Sequence, residues 1–292
     1  MKAKVTVKKE NVIEINELIK EYSSFKLGEI NLNIPNGSII GLIGENGAGK
    51  TTLIKSILNI IKINKGSIRI FGKDSNKYES LIKEDIGVVL DNVFFPELLT
   101  PKDISTCMKN IFLKWDNDLF NKYINDFGLS LNQKIKEMSK GMRKKLEIAT
   151  ALSHHPKLLI LDEPTSGLDP VVRNEILDIF LEFIENDENT ILFSTHITSD
   201  LEHIADEIIF IDKGKVIIEE NKKELLNTYG ILKTNEKKFK EIKKEDIISY
   251  KKVKEIYEIL VKNKTKISKK YNCKLDKITL EELMVLMIKG EK

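Results

Sequence analysis

Gly44-Glu45-Asn46-Gly47-Ala48-Gly49-Lys50-Thr51 decides how this chain folds. The octapeptide fits the phosphate-loop pattern G-x-x-x-x-G-K-[ST], and its flanks fit too. Ser38-Ile39-Ile40-Gly41-Leu42-Ile43 reads as a buried strand entering the loop, and Leu53, Ile54, Ile57 and Leu58 recur at helical spacing after it. A strand, a glycine-rich turn and a helix start form a cradle for a triphosphate. Glycines let backbone N–H groups crowd inward, and the helix adds the positive end of its dipole. Lys50 can reach the β- and γ-phosphates, and the Thr51 hydroxyl can ligate Mg²⁺. The nucleotide-binding set read here is Gly44, Glu45, Asn46, Gly47, Ala48, Gly49, Lys50, Thr51 and Thr52.

Hydrolysis needs more than a cradle: a carboxylate near the metal and a group that positions water. Leu158-Leu159-Ile160-Leu161 reads as a buried strand closed by Asp162-Glu163. Ligands of open parallel sheets bind beyond the carboxyl ends of the strands, which puts Asp162 beside the metal and Glu163 toward the γ-phosphate. A further strand, Thr190-Ile191-Leu192-Phe193-Ser194-Thr195, ends at His196. A histidine there can hydrogen-bond a phosphate oxygen and the attacking water. Met138-Ser139-Lys140-Gly141-Met142 precedes a helix whose buried side carries Leu146, Ile148, Ala149 and Leu152. Ser139 suits an N-cap, Gly141 allows close approach, and the helix start is a second place suited to phosphate.

The order of these pieces resembles the ATP-binding subunit of an ABC transporter, over about Val12 to Glu220. Met138–Met142 then corresponds to the signature motif, Ser166-Gly167-Leu168-Asp169 to the D-loop, His196 to the switch histidine, and Tyr22 to the aromatic residue stacked on adenine. The chain is most similar to ATPases of ABC-2-type bacterial exporters. The resemblance implies an α/β fold: a RecA-like P-loop NTPase core with an antiparallel β-subdomain and an inserted helical subdomain. It implies ATP and Mg²⁺, with metal contacts from Thr51, Asp162 and the residue at Asp91, and catalysis by Glu163 and His196. It implies a head-to-tail dimer, homomeric or with a second ABC ATPase. Each ATP then lies between Lys50 of one copy and Ser139 and Gly141 of the other. The implied partner is a transmembrane permease subunit on a separate chain, and the implied location is cytoplasmic, on the inner face of the cell membrane.

Two departures stand out. Asp91 occupies the place expected for a glutamine after Ile86-Gly87-Val88-Val89-Leu90. Aspartate is shorter and charged, so it either binds Mg²⁺ more strongly or holds the loop farther back. Asn92 fills the role if the register slips by one. In the signature, Met138 replaces leucine, Lys140 a glycine and Met142 a glutamine, while Ser139 and Gly141 remain. The Lys140 ammonium is expected to point to solvent.

The 292-residue chain has room for one large unit and a small one. No apolar run approaches the ~20 residues that span a bilayer, and the start lacks a signal-peptide apolar core. Cys107 and Cys273 lie outside every motif, and His154-His155 point apart on a helix or strand, against metal ligation. Charge divides the chain. Residues 1–220 hold 28 Lys/Arg against 34 Asp/Glu, a net of −6, and residues 221–292 hold 20 against 11, a net of +9. The expected division is therefore an ATPase unit over 1–220, with helical subdomain at about 100–155, and a basic α+β C-terminal extension over 221–292. Within the extension, Thr279-x-x-Glu282 reads as a capping box ahead of a helical face of Leu280, Leu283, Met284 and Met287. Ile256–Val261 reads as a strand or part of a helix. The lysines of the extension either face anionic lipid headgroups or form a solvated surface. Phe94 and Phe95 are either a socket for a permease helix or core residues. Two competing functions are a non-transport ABC-type ATPase on nucleic acid or ribosomes, which a single uninterrupted cassette argues against, and a small-molecule kinase, which the Asp162-Glu163 pair disfavours.

Overall fold

The computed structural model describes residues 10–91 and 95–291. The readings on the amino-terminal stretch and on Asn92, Val93 and Phe94 lie outside the described residues. The chain begins with β1 (Asn11–Glu21), β2 (Lys26–Pro35), β3 (Ile39–Ile43), α1 (Lys50–Ile57), β4 (Lys65–Ile70), β5 (Lys73–Asp74), α2 (Glu79–Lys83) and β6 (Ile86–Val89). It continues through α3 (Pro101–Lys109), α4 (Asn117–Asp126), α5 (Lys140–Leu152), β7 (Leu158–Asp162), α6 (Pro170–Phe183), β8 (Thr190–Thr195), α7 (Thr198–Ile204), β9 (Glu207–Asp212) and β10 (Lys215–Asn221). Beyond Asn221 come α8 (Lys222–Thr228), β11 (Tyr229–Thr234), α9 (Glu236–Phe239), β12 (Ser249–Val253), β13 (Ile256–Lys262), α10 (Lys264–Tyr271) and α11 (Leu280–Lys289).

The central sheet has the order β10-β9-β3-β8-β7-β6. Its strands run parallel except β10, which returns from β9 as a hairpin. Such a sheet must be covered on both faces, so its strands are apolar throughout and alternate between two cores. Ile39, Leu159, Ile191 and Ile208 enter one core with Phe180 of α6 and Leu201 of α7. Ile40, Ile160, Leu192 and Ile209 enter the other with Ile54 of α1 and the inner faces of β1 and β2. That second core is closed by an antiparallel sheet of order β2-β1-β4-β5. Gly41 is the gap in the first face: a Cβ there would stand 2.7 Å from Leu201 Cδ1, so the missing side chain lets α7 approach β3.

Helices α3, α4 and α5 make a separate small core around Phe120, Ile124, Ile135 and Leu146. Each begins with a side-chain cap: Thr100 with Asp103 as a capping box, Asp116, and Ser139. After β10 the chain builds a three-stranded antiparallel sheet of order β11-β13-β12, so Ile256–Val261 lies in a strand. The capping box at Thr279 and Glu282 forms. The buried face of α11 is Leu280, Leu283 and Leu286, while Met284 and Met287 are only partly covered. The extension does not stand apart. Leu225, Tyr229, Ile231, Leu260, Leu280, Leu283 and Leu286 join the same apolar core as Leu201, Ile204 and Ile208.

Candidate functional site

The carboxyl ends of β3, β7 and β8 converge on the phosphate loop. Gly44 leaves β3 where a Cβ would lie 2.4 Å from the Ile211 carbonyl oxygen, so no larger residue fits without a shift of backbone. Gly47 and Gly49 have φ of 81° and 115°, open to glycine and strained for other residues. Lys50 opens α1 and turns its ammonium back over the loop. Nζ donates to the Gly44 carbonyl at 2.8 Å and lies 3.8 Å from Oε1 of Glu163. Burial pushes the Lys50 pKa down, against the opposing pull of Glu163 and Asp162. A nearly dehydrated ammonium with replaceable carbonyl partners is ready to exchange them for phosphate oxygens.

Thr51 is exposed at the mouth of the loop, and its hydroxyl donates to Oδ2 of Asp162 at 2.8 Å. Oδ1 of Asp162 is buried and has no hydrogen-bond partner among the described residues. A buried carboxylate oxygen left unfilled beside a hydroxyl is a donor set suited to a hard cation such as Mg²⁺, which takes one or two protein oxygens and fills its sphere with phosphate and water.

Glu163 follows with a left-handed backbone, φ 52°, a conformation that costs energy away from glycine. Its N–H donates to the Ser194 carbonyl at 2.9 Å, which fixes the turn to β8. Its Oε2 lies 2.8 Å from Nδ1 of His196, itself exposed at the end of β8. Lys50, Glu163 and His196 therefore form one connected row.

A buried network missed in the sequence supports this row. Asp200, on α7, accepts from the Thr165 hydroxyl at 2.6 Å and pairs with the Arg173 guanidinium of α6. It ties together the segments after Glu163 and after His196. The sequence carried no signal for it: α7 reads Thr198-Ser199-Asp200-Leu201-Glu202-His203-Ile204, with Asp200 one polar residue among several.

The remaining predicted residues are spread out. Tyr22 is exposed just after β1, with the Lys20 ammonium 4.8 Å from its ring centroid. Phe25, which the sequence reading passed over, lies closer to the loop: its ring edge would stand 3.0 Å from a Cβ on Gly49. Ser139 caps α5 by accepting from the Met142 N–H. Gly141 faces Val172, and the exposed Lys140 reaches along the chain to Gly167. Among the described residues, no contact of Ser139 or Gly141 joins them to the phosphate loop of the same chain. Asp91 is exposed at the end of β6 and lines a cavity that also reaches Glu163. Phe95 packs partly against the helical core and lines an apolar groove of about 360 Å³ with Val89, Leu90, Met108 and Phe112. His154 is buried, stacked on Phe112, and its Nε2 lies 3.1 Å from the Ile86 carbonyl, while His155 is exposed and pairs with Asp116. Among the described residues no helix is long and apolar enough to cross a membrane.

Residues 27–166 match the family model described as ABC transporter. The chain is 34% identical over 240 residues to the uncharacterized ABC transporter ATP-binding protein YdbJ of Bacillus subtilis (strain 168), covering 81% of this chain and 76% of that one. It is 35% identical over 211 residues to the bacitracin transport ATP-binding protein BcrA of Bacillus licheniformis, with 71% and 69% covered. Among solved structures it is similar to CbiO1 from Clostridium perfringens, part of the ABC transporter complex cbiONQ. That match has a TM-score of 0.63 and 30% identity, covering 75% of this chain and 92% of that one.

Proposed function

We propose, from the premise that the chain belongs to the ABC transporter family as an ATP-binding and ATP-hydrolysing subunit, that it drives an exporter by closing and opening as a head-to-tail dimer. Residues 1–220 are the motor and residues 221–292 its extension. Lys50 and the loop amides of Gly44 to Thr52 hold the β- and γ-phosphates. Ser139 and Gly141 of a second copy, or of a related ATPase, cover the same nucleotide from the opposite side. Thr51, Asp162 and Asp91 face the metal position; bound Mg²⁺ supplies neutralisation of phosphate charge there. Glu163 accepts a proton from the attacking water, and His196, 2.8 Å from Glu163, orients that carboxylate and the γ-phosphate. Tyr22 faces the base. The observation that carries this reading is the connected row of Lys50, Glu163 and His196 beside the Thr51–Asp162 pair.

The partner is a transmembrane permease subunit. Its contact is a short helix in the apolar groove lined by Phe95 and by Leu90 of the segment after β6. That arrangement holds the protein on the cytoplasmic face of the membrane. Transport, rather than another use of ATP hydrolysis, is supported by the bacitracin transport relative. The test is Glu163→Gln. Removing a general base costs about 10²–10⁴ in turnover, so the variant is expected to bind ATP, stop hydrolysing and elute as a dimer in ATP and Mg²⁺. A strictly monomeric elution with ATP bound refutes the closed dimer.

A further inference from the structure

Lys144 and Glu147 are three apart on α5, so both side chains lie on one helix face. Both are buried, at 4% and 8% exposure, and Nζ lies 2.7 Å from Oε2. A buried ion pair is a weak device for stability, because apolar residues of similar volume often do as well or better. Its location is more telling. Glu147 lines the apolar groove, and it also lines a second cavity of about 330 Å³. The charged side chains around that second cavity are Asp91, Lys140, Arg143, Lys144, Glu147 and Glu163. Lys140 is exposed and reaches toward Gly167. Arg143 is engaged with the carbonyls of Met138 and Lys136. Lys144 is thus the buried cation among three carboxylates. Burial raises the Glu147 pKa against the opposing pull of Lys144, and Asp91 adds the smallest push upward.

We propose that Lys144 and Glu147 are a positioning pair for ATP hydrolysis: the ammonium sets where Asp91 and Glu163 stand across the shared cavity, and Glu147 ties that setting to the wall of the groove. The proposal rests on the reading of Asp91 and Glu163 as site residues. It assigns the pair no contact with nucleotide.

The test replaces the pair with apolar residues, Lys144→Met with Glu147→Leu. A second double variant, Lys144→Gln with Glu147→Gln, keeps hydrogen bonding without charge. Two readouts are taken: steady-state ATPase, and binding of a fluorescent ATP analogue with and without Mg²⁺. Small displacements of reacting groups are costly, so kcat is expected to fall roughly tenfold while KM for ATP stays within about twofold. Analogue binding without Mg²⁺ should match the parent, and the tightening that Mg²⁺ brings should shrink several-fold. In an Asp91→Asn background the same replacements should add little, because linked residues are not additive. Parental kcat and Mg²⁺ response in both double variants overturn the proposal. So does an equal loss with and without Asp91, or loss of fold in both double variants, which would make the pair purely structural. Full turnover by Glu163→Gln would instead overturn the site reading on which the proposal rests.

Discussion

Asp200→Ala is the substitution from which the structure predicts most. Asp200 is 1% exposed, sits in the first turn of α7, and accepts from Thr165 while pairing with Arg173. Removing it strands two donors. Hydrogen bonds to a charged partner are worth about 1.5–3 kcal/mol each, and breaking one side of a buried ion pair costs about 3–5 kcal/mol. Arg173 keeps a quarter of its side chain in solvent and a second bond to the Ser199 hydroxyl, so the lower end applies. The expected loss is about 3 kcal/mol, or roughly 6–12 °C in Tm for a chain of this size. Asp200→Asn keeps an acceptor oxygen for Thr165 and should lose about half as much. Urea unfolding with the m-value held constant measures both. Turnover is the second readout. Asp200 joins the segment after Glu163 to the segment after His196, so kcat should fall while KM for ATP changes little, measured where the variant is fully folded. A stability loss under about 1 kcal/mol for Asp200→Ala would show that neither donor depends on it and would refute the reasoning.

Two other expectations are simpler. Burial holds the His154 pKa below its ordinary value of about 6.5, so the folded-state imidazole stays neutral where the same side chain in the unfolded chain takes a proton. That contribution is complete above the ordinary value and is lost as pH falls toward the folded one, so Tm should drop less between pH 7.5 and 5.5 in His154→Asn than in the parent; parallel drops would contradict it. Leu283→Ala opens the core shared by α11 and α7 and should cost about 2–5 kcal/mol by chemical denaturation, with a single transition for the whole chain. Separate transitions for core and extension would show that the shared core does not couple them.

The elements around the nucleotide were legible because their constraints are local. A glycine loop needs glycines at fixed spacing, and a buried parallel strand needs a short apolar run, so β3, β7 and β8 could be read without knowing their neighbours. The Thr51–Asp162 contact spans 111 residues, yet both ends announce themselves by motif. Asp200 announces nothing. It is an ordinary acidic residue until the fold buries it against Thr165 and Arg173, and burial is decided by the packing of three elements far apart in sequence. Lys144 and Glu147 were hidden for the same reason: as i, i+3 charges on a helix they read as a solvated face. Ile256–Val261 was ambiguous because six apolar-rich residues fit either period, and pairing with β11 and β12 resolved it.

The charge step near Glu220 is a separate case, because charge records the surface and packing records the buried face. The extension is basic outside, yet its inner face is as apolar as the strands it follows. Besides the Lys262–Glu220 pair on β10, several of its attachments fall on one helix. The Leu280 N–H donates to Oε1 of Glu202 at 2.6 Å, and the Lys222 ammonium donates to the carbonyls of Leu201 and Glu202. All three lie on α7, which starts two residues after His196. At the other end of α11, Lys289 stands 3.4 Å from Glu45 in the phosphate loop, an exposed pair of small energetic weight that nevertheless marks how near the extension comes. A segment that shares its core with the helix after His196 is packed as part of the same body as that helix. The boundary written in the charges is therefore one of surface chemistry, and the packed core runs past it.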